Sequence, residues 1–96
     1  MKNSNEQTLK EAIQALLNAY KLKDGMLESR VLNSWDTIAG KFVAKHTETT
    51  YIRNKTLYIK LNSPALKNEL SYAKSKLIEA LNKTVDQEVI TNIVFL

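Results

Sequence analysis

The 96-residue sequence predicts one α+β domain whose elements follow the order α-α-β-β-α-β. Apolar residues recur at helical spacing through roughly the first 45 residues. The apolar period then changes from 3.6 to 2 in "TTYIRNKTLYIKL". A further helical pattern follows, and the chain ends in the apolar run "VITNIVFL". Together these patterns favour a three-stranded mixed sheet with the helices packed on one face.

Two helices are predicted before the strands. A first apolar stripe predicts a helix over about residues 5–22, and it comprises Leu9, Ile13, Leu16, Leu17 and Tyr20. Gly25 then predicts a left-handed turn. A second stripe predicts a helix ending near Lys45 or His46, and it comprises Leu27, Val31, Trp35, Ile38 and Phe42. Gly40 lies inside this pattern at a cost of about 1 kcal/mol relative to alanine. We therefore expect another element to approach so closely there that a Cβ would clash.

The strand pair is predicted to turn at Asn54-Lys55. A two-residue turn pairs Tyr51 with Tyr58, and the alternation then gives each face a uniform chemistry. The apolar face contains Thr50, Ile52, Leu57, Ile59 and Leu61, and the other face contains Thr49, Tyr51, Arg53, Tyr58 and Lys60. This uniformity supports the register.

The third helix is predicted to begin at Ser63-Pro64, a good N-cap followed by a residue suited to the first turn. Its buried stripe comprises Leu66, Leu70, Ala73, Leu77 and Leu81, whereas Lys67, Lys74 and Lys76 lie away from it. A right-handed crossover through this helix makes the second and third strands parallel.

Composition excludes several classes of protein. The chain has no cysteine and one histidine, so thiolate metal sites and His-paired thiols are excluded, and no phosphate-binding glycine loop is present. We therefore expect a protein that is not an enzyme and has no cofactor or metal. The N-terminus has no apolar signal core, and no apolar run approaches about 20 residues. These features predict a soluble cytoplasmic protein without a membrane partner.

The charge is unevenly distributed. Residues 41–83 contain nine basic and three acidic residues, a net charge of +6, whereas the whole chain carries +4. A concentrated basic excess attracts polyanions such as nucleic acid. The alternative is a solvated lysine surface that serves solubility and binds no ligand.

The ordered motifs "W-x-x-I-x-G", "H-T", a hairpin, "LYIKLNSPALKNEL" and a final "I-x-F" resemble the DciA-like family, long catalogued as a domain of unknown function. The matching positions lie within about residues 27–96 and are Trp35, Ile38, Gly40, His46, Thr47, Leu57, Ser63, Leu66, Glu69, Leu70, Ile93 and Phe95. The resemblance implies a KH-like fold, a bacterial source, affinity for nucleic acid and, for the founding members, assistance to the replicative DNA helicase during loading. The chain lacks the G-x-x-G loop of true KH domains and the extra C-terminal tail of some family members. We therefore expect nucleic-acid binding to carry over more directly than helicase binding.

Several motif residues have structural interpretations. Trp35 is either a stacking platform for a base or a core anchor, and its place on an apolar helical face favours the core. His46 is expected to cap the C-terminus of its helix. The residues assigned to the core or to the family motif are Trp35, Ile38, Gly40, Phe42, His46, Ser63 and Leu70.

The candidate nucleic-acid-binding residues centre on Tyr51 and Tyr58, which are flanked by Arg53 and Lys60. Aromatic rings that stack with bases, beside cations that bind phosphate, are typical of single-strand platforms. Lys41, Lys45 and Lys55 extend this footprint, and Lys67, Lys74 and Lys76 form a second stripe. The alternatives are a tyrosine pair that only stabilises the hairpin, a face covered by a partner subunit, and lysines that are merely solvated.

The predicted function is therefore that of a nucleic-acid-binding accessory protein linked to DNA replication. Its expected partners are single- or double-stranded DNA, with RNA also open, and the replicative helicase. The alternative function is a protein-interaction adaptor or self-associating module, including a homodimer, that does not bind nucleic acid. An exposed sheet edge or the tyrosine face would then bind the partner.

Overall fold

The computed structural model describes residues 2–96, with side chains from Thr8 onward. The chain folds into seven elements, which are α1 (Lys2–Ala39), α2 (Lys41–Lys45), β1 (Thr47–Arg53), β2 (Thr56–Leu61), α3 (Pro64–Ser71), α4 (Lys74–Lys83) and β3 (Asn92–Phe95). The order α-α-β-β-α-α-β with a three-stranded mixed sheet confirms the predicted α+β class and KH-like layout. None of the helices described is both long enough and apolar enough to cross a membrane.

α1 is one continuous helix, so the prediction of two helices separated by a turn at Gly25 is wrong. Gly25 is helical, and a Cβ built on it would have no heavy atom within 4 Å. One glycine costs a helix only about 1 kcal/mol relative to alanine, and its neighbours Leu22, Lys23, Met26 and Leu27 favour helix. Local helix propensity therefore continues the helix through Gly25.

Gly40 separates α1 from α2, and the expected close approach of another element is absent from the described residues. No heavy atom lies within 4 Å of a Cβ built there. The backbone has φ 93° and ψ 164°, a region that is essentially restricted to glycine. Hydrogen bonds continue on both sides, from Gly40 N to Asp36 O (3.0 Å) and from Ala44 N to Gly40 O (2.9 Å). Glycine is therefore required for the backbone conformation at the bend, not for clearance.

Replacing the two glycines separately is expected to have opposite effects on stability. Gly40→Ala forces a side chain into a strained conformation and should lower the free energy of unfolding by about 1–3 kcal/mol. Gly25→Ala adds a helix-favouring residue in open space and should raise helicity without destabilising the fold. Urea unfolding followed by circular dichroism measures both effects. A destabilised Gly25→Ala variant would instead indicate that the chain turns at Gly25.

The hairpin register is confirmed. Tyr51 pairs with Tyr58 and Ile52 with Leu57 in the antiparallel β1–β2 pair, and an irregularity lies between Thr47 and Thr49. Both turn residues, Asn54 (φ 51°) and Lys55 (φ 59°), have positive φ, as a type I′ turn requires. β2 and β3 are parallel, as predicted, and β2 is the central strand.

The predicted third helix is divided into α3 and α4, with a break at Tyr72 and Ala73. Its predicted start is confirmed, because Ser63 Oγ accepts a hydrogen bond from Leu66 N (3.2 Å). Both N–H groups at the break bond back three residues, from Tyr72 to Glu69 O and from Ala73 to Leu70 O. These tighter bonds close the last turn of α3 and let α4 leave in a new direction.

The final strand is shorter than the predicted run, because residues 84–91 form a loop held by Asn82. Its side-chain oxygen accepts hydrogen bonds from Val89 N (2.9 Å) and Ile90 N (3.0 Å). Its amide nitrogen donates to Ile90 O (2.8 Å). The Asn82 side chain in α4 thus forms hydrogen bonds with the backbone groups that lead into β3, and it positions the fully buried Ile90.

Asn82→Ala should lower the free energy of unfolding by about 1–3 kcal/mol, because backbone groups beside buried Ile90 lose their partner. The exposed Asn68 in α3 provides the control, and Asn68→Ala should change stability by no more than about 0.5 kcal/mol. Thermal unfolding of the two variants measures the difference. Equal stability would show that water replaces the Asn82 side chain without cost.

The core lies between the sheet and the helices. Its buried apolar residues are Val31, Trp35, Val43, Leu57, Ile59, Leu61, Leu81, Val85, Ile90 and Ile93. Ile38 and Leu70 pack against this cluster, as predicted. Phe42 does not, and the prediction that it belongs to the core is wrong, because its side chain is 67% exposed. The bend at Gly40 changes the helix direction, so the periodicity of α1 does not extend to Phe42.

The molecule is elongated. Its principal extents are 66 × 22 × 18 Å and its radius of gyration is 18.2 Å, against about 12 Å for a compact chain of this length. The reason is α1, whose first half extends beyond the domain. Every side chain from 8 to 26 is exposed, and Leu27 is the first that is half-buried.

Candidate nucleic-acid interface

Trp35 is a core anchor, as its position on the apolar stripe favoured. The side chain is 1% exposed, so it offers no surface for a base. Its indole Nε1 donates to Thr47 Oγ1 (3.1 Å), and that hydroxyl donates to Val43 O (2.8 Å). This chain of hydrogen bonds joins α1, α2 and the start of β1, and it satisfies the one polar atom of the indole.

His46 is also architectural. It is the C-cap of α2, as predicted, and its backbone N–H donates to Val43 O (3.1 Å). Its Nδ1 lies 2.8 Å from Asn62 Oδ1; since an amide oxygen only accepts, the ring nitrogen carries the hydrogen. Asn62 N donates in return to His46 O (3.0 Å). His46 therefore ties the start of β1 to the end of β2.

The outer face of the sheet carries the tyrosine pair. The helices pack against the opposite face, where Leu57, Ile59 and Ile93 are fully buried. On the outer face the rings of Tyr51 and Tyr58 are stacked, with centroids 4.8 Å apart and planes 13° apart. The separation equals the usual spacing of neighbouring strands, as the cross-strand register requires.

The stacking limits what the pair can contact. Each ring uses one face on the other tyrosine, so one face per ring remains for a ligand. Tyr51 is 41% exposed and lies on edge strand β1, whereas Tyr58 is half-buried between Tyr51 and the cross-strand position of Val94. Tyr51 is therefore the more accessible stacking surface.

Cations flank the pair, and they differ in their partners. Lys60 forms an ion pair with Glu48 (3.7 Å), and Lys55 in the turn forms one with Glu88 (3.8 Å). All four side chains are well exposed, so solvent screens both pairs and an incoming phosphate can displace the carboxylates. Arg53, also exposed, has no ion pair within 4.0 Å among the side chains described from residue 8 onward. It is the cation most readily available to a phosphate.

The remaining candidate lysines lie on helices and not on the sheet. Lys41 and Lys45 are exposed on α2, which leads into β1. The second stripe lies on the helices, with Lys67 on α3 and Lys74 and Lys76 on α4. Lys74 Nζ sits 5.9 Å from the centre of the Phe95 ring, a cation–π contact. Since α3 and α4 lie on the other side of the sheet, one flat ligand cannot contact the outer sheet face and the lysines of α3 and α4 at the same time.

Two exposed apolar features were not predicted. One is the projecting half of α1. The other is a shallow pocket of about 190 Å³ beside exposed Phe42, lined also by Leu66 and Glu69. The stripe on α1 was visible in the sequence, but periodicity indicates only that a face is apolar and does not reveal what covers it.

Among the side chains described, no three histidine, aspartate or glutamate residues come together as ligands for a metal ion. What the outer face offers is aromatic surface, an arginine and two lysines. These groups can stack with planar rings and bind anions.

Comparison with known proteins identifies one family. Residues 8–95 match the family model described as "Dna[CI] antecedent, DciA", which covers nearly the whole chain. No curated protein matches the sequence. The match begins at residue 8, so it includes the projecting half of α1 from that residue onward.

Proposed function

The chain belongs to the DciA family, and we propose that it is a nucleic-acid-binding accessory protein acting with the replicative helicase. The family is associated with helicase loading during DNA replication. We assign the outer sheet face to single-stranded DNA.

The observation that carries this proposal is the stacked tyrosine pair on an uncovered sheet face beside Arg53 and Lys60. A base stacks on the exposed face of Tyr51. The backbone phosphates on either side of that base contact Arg53 and Lys60. Arg53 and Tyr51 are two residues apart on β1, so both side chains lie on the same face. Single strands expose the faces of their bases, which duplexes do not, so stacking favours a single strand.

The residues that match the family motifs support a division between residues that hold the fold and residues that bind the nucleic acid. Trp35, Gly40, His46 and Ser63 each hold the fold through burial, backbone conformation or a hydrogen bond. They position β1 and β2 but do not contact a ligand. Binding is left to exposed side chains, of which the outer face offers the combination that fits a nucleic acid.

Affinity for a fluorescein-labelled oligonucleotide, measured by anisotropy as a function of salt, tests this proposal. Contacts from Arg53, Lys60 and Lys55 to about three phosphates predict a slope of about −2 for log K against log[salt] with a single strand. The labelled duplex of the same sequence should bind more weakly because its bases are already stacked. Binding that does not change with salt, or tighter binding of the duplex, would contradict the assignment.

A second experiment tests the partner. Purified replicative helicase from the same organism, immobilised on a biosensor surface, should retain this protein in the absence of DNA. Glu69→Lys provides a sensitive variant, because Glu69 is exposed beside the apolar pocket and belongs to the motif that resembles the family. If Glu69→Lys binds as tightly as the wild-type protein, the pocket is not part of the helicase contact. If the wild-type protein does not bind, the helicase is not its partner.

A further inference from the structure

The projecting half of α1 presents an apolar stripe that no other element covers among the residues described. Every side chain from 8 to 26 is exposed, although the segment contains many large apolar residues. Those on the stripe are Leu9, Ile13, Leu16, Leu17 and Tyr20, and their exposure ranges from 48% to 63%. Helices in water derive most of their stability from packing an apolar face, so a stripe of this length calls for a covering surface. We call residues 2–26 the arm.

The stripe lies on the same side of α1 as the face that packs on the domain. Leu9 and Leu27, Ile13 and Val31, Leu17 and Trp35, and Tyr20 and Ile38 are each eighteen residues apart. Eighteen residues make about five turns of an α-helix, so the members of each pair point in the same direction. The face that is buried from residue 27 onward thus continues, uncovered, along the arm.

The middle of the arm carries no charge. Residues 12–20, "AIQALLNAY", contain only Gln14 and Asn18 as strongly polar side chains, and Gln14 Nε2 donates to Asn18 Oδ1 (2.9 Å). A helix exposed on all sides normally carries charges around its whole circumference. A nucleic acid would require cations here, so the surface fits an apolar protein face.

The spacing of the stripe is palindromic. Leu9, Ile13, Leu16 and Tyr20 are separated by four, three and four residues, the a/d spacing of a coiled coil. Reversing the direction of the helix leaves this spacing unchanged. A second copy in antiparallel orientation therefore places its Tyr20 against Leu9 and its Leu16 against Ile13. The same register sets Leu17 opposite the small Ala12, so a large residue faces a small one.

We propose that the arm is a self-association surface through which two copies of this chain pair as an antiparallel coiled coil. The two-fold axis of this register falls between residues 14 and 15, so the stripe of one copy lies along the stripe of the other. The domain begins to cover α1 only at residue 27, beyond the paired stripe, and it therefore leaves this register accessible.

The fold disfavours a parallel pair. From Leu27 onward the domain occupies the side of α1 that carries the stripe. If two parallel helices were joined along this stripe, both domains would lie at the same end of the pair. Each domain would then occupy the space between the two helices. In the antiparallel arrangement the domains lie at opposite ends, about 38 Å apart along the axis if measured between the two Leu27 positions at 1.5 Å per residue. Both outer sheet faces then stay uncovered.

Sedimentation equilibrium of the full chain tests the pairing. The wild-type protein is expected to be a concentration-dependent dimer, and Leu16→Glu should be monomeric because it places a charge in the centre of the interface. Leu22→Glu provides the matched control: Leu22 is 71% exposed on the same arm but lies off the stripe, so this variant should remain a dimer. Near-ultraviolet circular dichroism of buried Trp35 checks that each variant keeps its domain folded.

Cross-linking tests the orientation, and the absence of native cysteine leaves no background. Mixing Leu9→Cys with Tyr20→Cys under mild oxidation should give mainly the mixed disulfide dimer. A parallel pair would instead link like with like, and a wild-type monomer at every concentration would overturn the proposal. The Leu16→Glu variant should still bind single-stranded DNA in a salt-dependent manner. The dimerisation and the proposed DNA binding are therefore tested independently of each other.

Discussion

Trp35→Ala should lower the free energy of unfolding by about 3–5 kcal/mol, a large share of the stability of a 96-residue domain. Trp35 is 1% exposed and is the largest of the fully buried side chains. Its removal leaves a cavity beneath the sheet, and Thr47 Oγ1 loses the indole donor. Urea unfolding followed by far-ultraviolet circular dichroism measures the change, since the variant loses the usual fluorescent probe.

Phe42→Ala is the matched control for Trp35→Ala. Both aromatic residues belong to one apolar stripe by sequence, but the structure leaves Phe42 67% exposed. The control should therefore change stability by no more than about 0.5 kcal/mol. Similar losses in the two variants would indicate that α1 and α2 form one helix and that Phe42 belongs to the core.

Replacing the tyrosine pair should produce the largest change in ligand affinity. Tyr51→Ala/Tyr58→Ala removes the stacking surface of the outer face and should weaken single-stranded DNA binding by about 5- to 150-fold, as expected for one base stacked on Tyr51 at about 1–3 kcal/mol. The slope against salt should stay close to that of the wild type because the cations remain. Anisotropy titration at two salt concentrations measures both quantities.

Tyr72→Ala controls for the loss of an exposed tyrosine. Tyr72 is 84% exposed at the break between α3 and α4, on the helical side of the sheet. Its removal should leave affinity unchanged. If the double variant binds as tightly as Tyr72→Ala, the tyrosine pair stabilises only the hairpin, and the binding surface lies with the lysines of the helices.

The hairpin could be predicted almost completely from the sequence. A two-residue turn and strict alternation determine one register, because shifting it by one residue would send Ile52 and Leu57 to the solvent. The N-cap at Ser63 and the parallel third strand followed from similarly local rules. In each case short-range chemistry and the fold agree.

The helices were harder to delimit because their boundaries depend on small differences in free energy. Gly25 and Gly40 look equivalent in the sequence, yet one is helical and the other has a positive φ. A glycine costs a helix about 1 kcal/mol, an amount that tertiary packing readily outweighs. The bend after Ala39 turns α2 away from the direction of α1, so Phe42 leaves the core that its periodicity predicted.

The positions of the candidate binding residues could also be predicted only in part. The cross-strand rule placed Tyr51 beside Tyr58 on one face with Arg53 and Lys60. The lysines of α3 and α4 could not be placed relative to that face, because their positions depend on how the helices pack across the sheet. Ion pairs of Lys55 and Lys60 with distant acidic residues also required the fold.

An ¹⁵N-resolved NMR titration with a single-stranded oligonucleotide locates the binding surface residue by residue. If the outer sheet face binds the strand, the largest amide shifts fall on β1 and β2, at Tyr51, Arg53, Tyr58 and Lys60. The amides around Lys67 and Lys76 should then keep their positions. Shifts confined to α3 and α4, with the outer sheet face unchanged, would show that the strand binds the helices instead.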